Sequence, residues 1–70
     1  MIAREDLVSR FTYHAPKGTQ AARYEKIRLY ALNLAETLDE LAPDCREKSL
    51  ALTYLEQAVM WTNAAIARHE

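Results

Sequence analysis

Two neighbouring apolar stripes in the last third of the chain constrain the fold most strongly. The first stripe repeats at steps of three and four residues and consists of Leu52, Leu55, Val59, Thr62 and Ile66. The second stripe has the same spacing one residue out of phase and consists of Ala51, Tyr54, Ala58, Trp61 and Ala65. This periodicity predicts a helix, and two adjacent stripes form an apolar arc wider than one packing seam requires. We therefore expect another copy of the chain to cover the second stripe.

The chain is too short to cover that arc by itself. Its 70 residues, half of them hydrophobic, can form one domain at most. A domain of roughly 60 residues buries only about 60% of its unfolded surface. The single cysteine excludes an internal disulfide, and no Cys/His cluster has the spacing of metal ligands. Oligomerisation is the remaining way in which so small a fold usually gains stability.

The first 42 residues predict a short helix, a loop and one long helix. Residues 1–10 form the short helix, and residues 11–18 (FTYHAPKG) form the loop. Pro16 disfavours helical backbone at the residue before it, and Gly18 can adopt a positive φ without steric conflict. Thr19 is the predicted N-cap of a helix over residues 19–42. Its predicted packing seam consists of Tyr24, Ile27, Ala31, Leu34, Leu38 and Leu41.

A short connection then leads into the third helix. Pro43 ends the second helix, and Asp44 with Glu47 forms a capping box that predicts a helix over residues 44–69. Two long helices joined so closely run antiparallel. The predicted fold class is all-α: a single domain over residues 1–70, formed by an antiparallel helical hairpin with a short N-terminal helix and assembled as a homo-oligomer.

Charge and hydropathy exclude several kinds of partner. The formal net charge of −1 gives no general attraction to DNA, RNA or anionic membranes. No apolar run approaches the roughly 18 residues of a membrane span. The N-terminal residues do not have the pattern of a signal peptide. We therefore expect a cytoplasmic protein, and the sequence predicts no cofactor.

An acidic group near the end of the second helix is the only candidate for a metal site. Glu36, Asp39 and Glu40 share one helix surface, but no Glu-x-x-His partner accompanies them. A solvated acidic face is therefore the favoured interpretation. Carboxylates at a helix C-terminus are mildly unfavourable, and an arginine from a neighbouring copy would relieve this.

Four other residues could be given a chemical role. Cys45 lies at the start of the third helix with no base spaced near it, so a helix-start residue is favoured over a reactive thiol. His14 and His69 lie at opposite ends of the chain, with no nucleophile or metal site to work with. Trp61 lies within an apolar stripe, which favours packing over ligand stacking. The sequence therefore predicts no catalytic residue and no enzyme.

The basic residues leave two interpretations open. Scattered, they form a solvated surface; gathered across a symmetric interface, they form a phosphate clamp, because arginine offers a planar fork of donors. Phe11 and Tyr13 of the loop would then stack on bases. Composition alone favours the plainer interpretation, in which Phe11 packs on the core and Tyr13 covers it. The basic residues concerned are Arg23, Lys26, Arg28, Arg46, Lys48 and Arg68.

Three sequence segments resemble one known family. The chain resembles the small helical-hairpin sponges among phage anti-CBASS proteins over residues 11–68. The segments that carry the resemblance are FTYHAPKG, the following Tyr-Glu-x-Ile-Arg segment and REKSLALTYLEQAVMWTNAAIAR. CBASS is a bacterial defence in which an infected cell makes cyclic oligonucleotide signals that trigger a lethal effector. The resemblance implies a homohexamer in the cytoplasm of the infected host cell. It also implies capture of cyclic dinucleotides, such as 3′,3′-cyclic GMP–AMP, without cleavage, and of cyclic trinucleotides in separate pockets.

Four residues are assigned to the dinucleotide site, two of them by the resemblance. Tyr13 corresponds to the family tyrosine that stacks on a base. Arg28 corresponds to a basic residue that contacts the dinucleotide, and it replaces the lysine found in family members, which changes reach and fork geometry. His14 and Lys17 are included because they lie in the same loop.

Two residues are assigned to the trinucleotide pocket. Arg68 corresponds to the arginine of the closing Ile-Ala-Arg motif. Tyr30 stands where the family can show a small hydroxyl residue, so trinucleotide binding is the weaker of the two expectations. The alternative function is a structural or protein-interaction hairpin that binds no nucleotide, and an enzyme that cleaves the signals would need a base or metal cluster that the sequence lacks.

Overall fold

The protein is an all-α hairpin, as predicted. The computed structural model describes all 70 residues and contains α1 (Arg4–Arg10), α2 (Gln20–Leu41) and α3 (Arg46–His69), with no strand. Contacts from Gln20 to Ile66 at one end, and from Lys48 to Asp39 at the other, show that α2 and α3 run antiparallel. Gly18 has a φ of 55° just before α2. No helix combines the length and the apolar content that a membrane crossing requires.

Both predicted helix caps are wrong in detail. Thr19 occupies the N-cap position of α2, but its side chain makes no capping hydrogen bond. The capping box of Asp44 and Glu47 does not form either, because α3 begins at Arg46 with Cys45 at its N-cap. The carboxylate of Asp44 instead accepts a hydrogen bond from Lys48 Nζ, at 2.7 Å. The connection between the long helices therefore spans residues 42–45 and is longer than the sequence suggested.

Lys48 holds the turn between α2 and α3 together. Its side chain is only 9% exposed, and its ammonium donates to the carbonyl oxygens of Asp39 and Ala42 at 2.7 and 3.1 Å. It also forms ion pairs with the carboxylates of Asp39 and Asp44, at 2.9 and 2.7 Å. A cation at the C-terminal carbonyls is favourable for a helix. This lysine of the same chain, rather than an arginine from a neighbouring copy, balances the acidic end of α2.

The packing seam of α2 differs from the predicted one at two positions. Leu34 and Leu41 are exposed, whereas Ala35 and Ala42 are half-buried against α3. The seam residues that do follow the prediction are Tyr24, Ile27, Ala31 and Leu38. A seam that places small alanines in the middle lets the two backbones approach closely, and it leaves the larger leucines on the outside.

The two stripes of α3 have different surroundings, as predicted. The first stripe is half-buried against α2, except for exposed Thr62, whose hydroxyl donates to the Ala58 carbonyl at 2.7 Å. The second stripe is exposed along its whole length, and Trp61 retains 67% of its accessible surface. No hydrophobic side chain is fully buried, and Gln20, at 3%, is the only buried residue. One hairpin, whose smallest extent is 13 Å, is a single layer of helices and cannot enclose a core by itself.

Loss of the Lys48 contacts should destabilise the hairpin. We expect Lys48→Met to lower the thermal unfolding midpoint by roughly 5 °C or more at fixed protein concentration, because the end of α2 loses its donor. Lys26→Met is the matched control, because the Lys26 ammonium lies only over the exposed Tyr30 ring, 5.6 Å from its centroid. Equal midpoints for the two variants, measured by circular dichroism, would contradict this role of Lys48.

The same contacts predict a pH dependence. The hydrogen bond from Lys48 lowers the pKa of the Asp44 carboxyl. The stabilisation that the Asp44–Lys48 pair provides is therefore complete above the ordinary aspartate pKa of about 3.9. It is lost as the pH falls through the lowered pKa of the Asp44 carboxyl. We expect Asp44→Asn to reduce the acid sensitivity of unfolding in this range. An unchanged pH profile would show that the pair contributes nothing to stability.

Candidate functional site

One cleft gathers residues from all three helices and the loop. It has a volume of about 330 Å³ and lies where α1, residues 11–19, the start of α2 and the end of α3 meet. Three arginines line it: Arg10 from α1, Arg28 from α2 and Arg68 from α3. No aspartate or glutamate lines it. The cleft is therefore strongly cationic, although the chain as a whole carries a formal net charge of −1.

The three arginines of the cleft have no acidic partner within the chain. Ion pairs are formed only by Arg23 with Glu70 and by Lys48 with Asp39 and Asp44. Three like charges around one cleft repel one another unless an anion lies between them. A guanidinium group binds phosphate through two parallel N–H donors, so the arrangement suits a ligand with more than one phosphate group.

Aromatic side chains lie beside these charges. Tyr13 is 83% exposed at the mouth of the cleft, and Tyr24 is half-buried in its wall. Exposed aromatic rings next to cations are typical of sites that stack bases and hold a phosphate backbone. Phe11 does not pack on a core as the plainer interpretation expected; it is exposed and lies with Leu7 and Val8 of α1.

Hydrogen bonds hold the loop in place on both sides of the cleft. His14 Nε2 lies 2.8 Å from the Ser9 carbonyl oxygen, and because a carbonyl only accepts, Nε2 carries the proton. The Oε1 atom of Gln20 accepts from the Lys17 amide at 3.1 Å, and its Nε2 donates to the Ile66 carbonyl at 3.4 Å. The first contact joins the loop to α1, and the other two join it to α2 and α3.

Arg23 and Glu70 close the same end of the hairpin. The Arg23 guanidinium donates to both carboxylate oxygens of Glu70, with one distance of 2.8 Å. This hydrogen bonding lowers the pKa of the Glu70 carboxyl. Arg23 is thereby removed from the set of basic residues that a ligand could use, whereas Arg28, five residues later, remains unpaired.

The cleft contains four of the six residues that the resemblance assigned. Tyr13, His14, Arg28 and Arg68 line it together, so within one chain the arginines expected in separate pockets share one surface. Arg68 also lines a shallow second cleft beside Trp61.

Two assigned residues lie elsewhere in the single chain. The Lys17 backbone is bound by Gln20, and its charge acts on Glu70 rather than on the cleft. Tyr30 is exposed and lies under the Lys26 ammonium. Either side chain could reach a ligand only in another copy or after a rearrangement of this one.

Several residues that line the cleft or hold it together were not assigned to a ligand site from the sequence. Arg10 lines the cleft; it is the last residue of α1 and directly precedes the loop, which was its only signal. Tyr24 was assigned to the seam, and Asn63 lies within the α3 segment that resembles the family but was given no role. Gln20 carries no recognisable pattern, because a single polar residue at a helix start is usually solvated.

The fold and the cleft define a small all-helical protein with a surface of arginines and tyrosines that suits an anionic ligand with aromatic rings. The sequence matches the family described as Acb2/Tad1, hairpin domain, over residues 4–67. The match covers nearly the whole chain, and the protein belongs to this family, the anti-CBASS sponges. A comparison with curated proteins and another with solved structures found no match. The resemblance seen in the sequence motifs is thus confirmed at the level of the family.

Removal of the Gln20 side-chain amide should loosen the loop. We expect Gln20→Leu to destabilise the protein by about 1 kcal/mol, because the Lys17 amide and the Ile66 carbonyl, at partly buried contacts, lose their partner. Hydrogen exchange at the Lys17 amide should accelerate at the same time. Gln57→Leu, on the exposed surface of α3, is the control. Unchanged exchange in the Gln20 variant would mean that this residue does not fix the loop.

Proposed function

We propose that the protein binds cyclic dinucleotide immune signals, such as 3′,3′-cyclic GMP–AMP, and sequesters them without cleavage. The observation that carries the proposal is the cleft in which unpaired Arg10 and Arg28 lie beside two tyrosines, with no carboxylate among its lining residues. A cyclic dinucleotide has two phosphates and two bases in one small ring, so its charge and its aromatic surface both match. Membership of the sponge family supports the same ligand class.

Each assigned residue has a physical role in this proposal. Tyr13 stacks on a base, and Arg28 binds a phosphate through its guanidinium fork. Arg10 is added to the assigned set, because it faces the same cleft from α1. His14 lines the cleft and fixes the loop through Ser9, and Lys17, which does not line the cleft of its own chain, would contribute its charge only from another copy.

Sequestration rather than catalysis is proposed for a chemical reason. Hydrolysis of a phosphodiester needs a positioned base, nucleophile or metal ion. The cleft is lined mainly by groups that bind and stack, and its one imidazole, His14, has no carboxylate among the lining residues to orient it as a general base. The ligand would therefore leave unchanged, and the free signal would fall below the concentration that the effector needs.

We further propose that copies of the chain assemble as a homohexamer and close the cleft between them. The support is the exposed second stripe of α3, with Tyr54 and Trp61 as its largest members. Two-fold interfaces suit a ring of two nucleotides, and three-fold interfaces suit a ring of three. A pocket for cyclic trinucleotides would form around Arg68 and its shallow second cleft, with Tyr30 contributed by another copy.

The required affinity is within reach of these contacts. Nanomolar binding corresponds to about −12 kcal/mol. Base stacking contributes roughly 1–3 kcal/mol per base, and charge-assisted hydrogen bonds to phosphate are about twice as strong as neutral ones. A cleft held by Gln20 and His14 before the ligand arrives reduces the ordering that binding would otherwise require.

Calorimetry with 3′,3′-cyclic GMP–AMP tests the proposal directly. We expect Tyr13→Ala and Arg28→Ala each to weaken binding at least tenfold, about the effect of one stacked base or one charged phosphate contact. Arg46→Ala, an exposed arginine at the start of α3, should bind as wild type does. Unchanged affinity in the first two variants, with the assembly intact, would reject the assignment.

Intact nucleotide recovered after heating the complex would separate sequestration from cleavage.

The role of Arg68 is tested by a second ligand. We expect Arg68→Ala to weaken binding of a cyclic trinucleotide while the dinucleotide is bound nearly as before, because the two rings occupy different symmetry axes. Equal losses for both ligands would show that they share the single cleft that Arg28 and Arg68 line in one chain.

A protein-interaction hairpin is the alternative function. It is favoured by an apolar groove of about 520 Å³ along the hairpin, between Leu32 of α2 and Met60 of α3. Under this alternative, the purified protein would bind no cyclic nucleotide, and Met60→Asp would abolish capture of a protein partner from the host lysate. Under the sponge proposal, nucleotide binding is measured with the purified protein alone.

A further inference from the structure

One polar group in the cleft is left unused by the proposed phosphate and stacking contacts. The Oδ1 atom of Asn63 is buried and receives no hydrogen bond from any donor in the chain. Asn63 lies on α3 and lines the cleft with Arg28 and Arg68. A buried acceptor without a donor is unfavourable, and such atoms are uncommon enough in folded proteins to require a reason.

Small side chains of α3 lie beside Asn63 in the cleft. Ala67, four residues later, lies on the same helix face, and Ala64 also lines the cleft. Tyr24 of α2 lines the cleft on the opposite helix. The Oδ1 atom itself is closed to solvent in the single chain, so the carboxamide has to turn about its χ2 angle before it meets the edge of a planar base.

A carboxamide offers a base a hydrogen-bond acceptor, which the three arginines cannot provide. Guanidinium groups only donate, which suits phosphate oxygens and the two acceptors on the edge of guanine. The carboxamide presents an acceptor beside a donor, and this pair matches the amine and the ring nitrogen on the edge of adenine. We infer that Asn63 reads an adenine base, so that the cleft selects cyclic nucleotides that contain adenine. This inference rests on the proposed function, because it needs a cyclic nucleotide in the cleft.

Two ligands that differ only in the exocyclic amine provide the test. Calorimetry compares cyclic di-AMP with an analogue in which unsubstituted purine replaces each adenine. Wild type should bind the analogue at least about tenfold more weakly, because a site built to pair with a group rejects ligands that lack it. Asn63→Leu, which has no polar atoms, should bind both rings with affinities within about twofold of each other. Asn33→Leu, on the exposed surface of α2, should discriminate as wild type does.

The other possible results of these measurements distinguish a failure of the inference from a failure of the sponge proposal. Equal wild-type affinities for the two rings would overturn the inference and leave the sponge proposal intact. Wild type that binds 3′,3′-cyclic GMP–AMP but neither of these two rings would overturn the inference alone, whereas wild type that binds none of the three would overturn the sponge proposal as well. Equal losses of both rings in Asn63→Leu would mean that Asn63 only shapes the cleft, which also overturns the inference. Asn63→Ser replaces the leucine variant if circular dichroism shows that it unfolds, and the wild-type comparison does not depend on either variant.

Discussion

Two helices lying side by side cannot enclose a hydrophobic core, and this constraint governs the rest of the molecule. The seam between α2 and α3 leaves every large apolar side chain partly exposed, and only Gln20 is buried. Polar contacts supplement this half-buried seam at both ends of the hairpin: Lys48 at the turn, and Gln20 with the Arg23–Glu70 pair at the open end. The apolar arc of α3 remains for contacts outside the chain.

Charged residues are arranged differently at the ends of the hairpin and around the cleft. At both ends of the hairpin the cations are paired with carboxylates, and these pairs fix the helices relative to each other. Around the cleft the cations have no such partners. Cations without an acidic partner also occur elsewhere on the surface, but around the cleft three of them line one surface with no carboxylate, which suits an anion that comes from outside.

The sequence predicted the helices well because their patterns are local. Pro16, Gly18 and Pro43 mark the ends of elements through their own backbone preferences. The first stripe of α3 packs against α2, and the second is exposed in the single chain, so that its coverage by another copy stays a prediction. The capping box was predicted wrongly because Asp44 pairs with Lys48, four residues later, which is held at the turn by the carbonyls of α2. The outward position of Leu34 and Leu41 also depends on how closely the alanines let α2 approach α3.

The site was predictable only where a motif carried it. Tyr13 and Arg28 came from family motifs, and the structure places both in one cleft. Arg10 and Asn63 join them from separate helices, an arrangement that depends on the antiparallel packing and on the His14 contact that fixes α1. Residues that only tertiary packing brings together have no regular spacing in the sequence, so no sequence pattern identifies them.

The central claim is that the hairpin is completed by other copies of itself. Sedimentation equilibrium at micromolar concentration, with helical content followed on the same samples, tests it most directly. We predict a folded species several times the 8.0 kDa mass of one chain, with helix and assembly lost together on dilution. A stable, fully helical monomer would contradict the claim, because its exposed apolar arc would then need no partner.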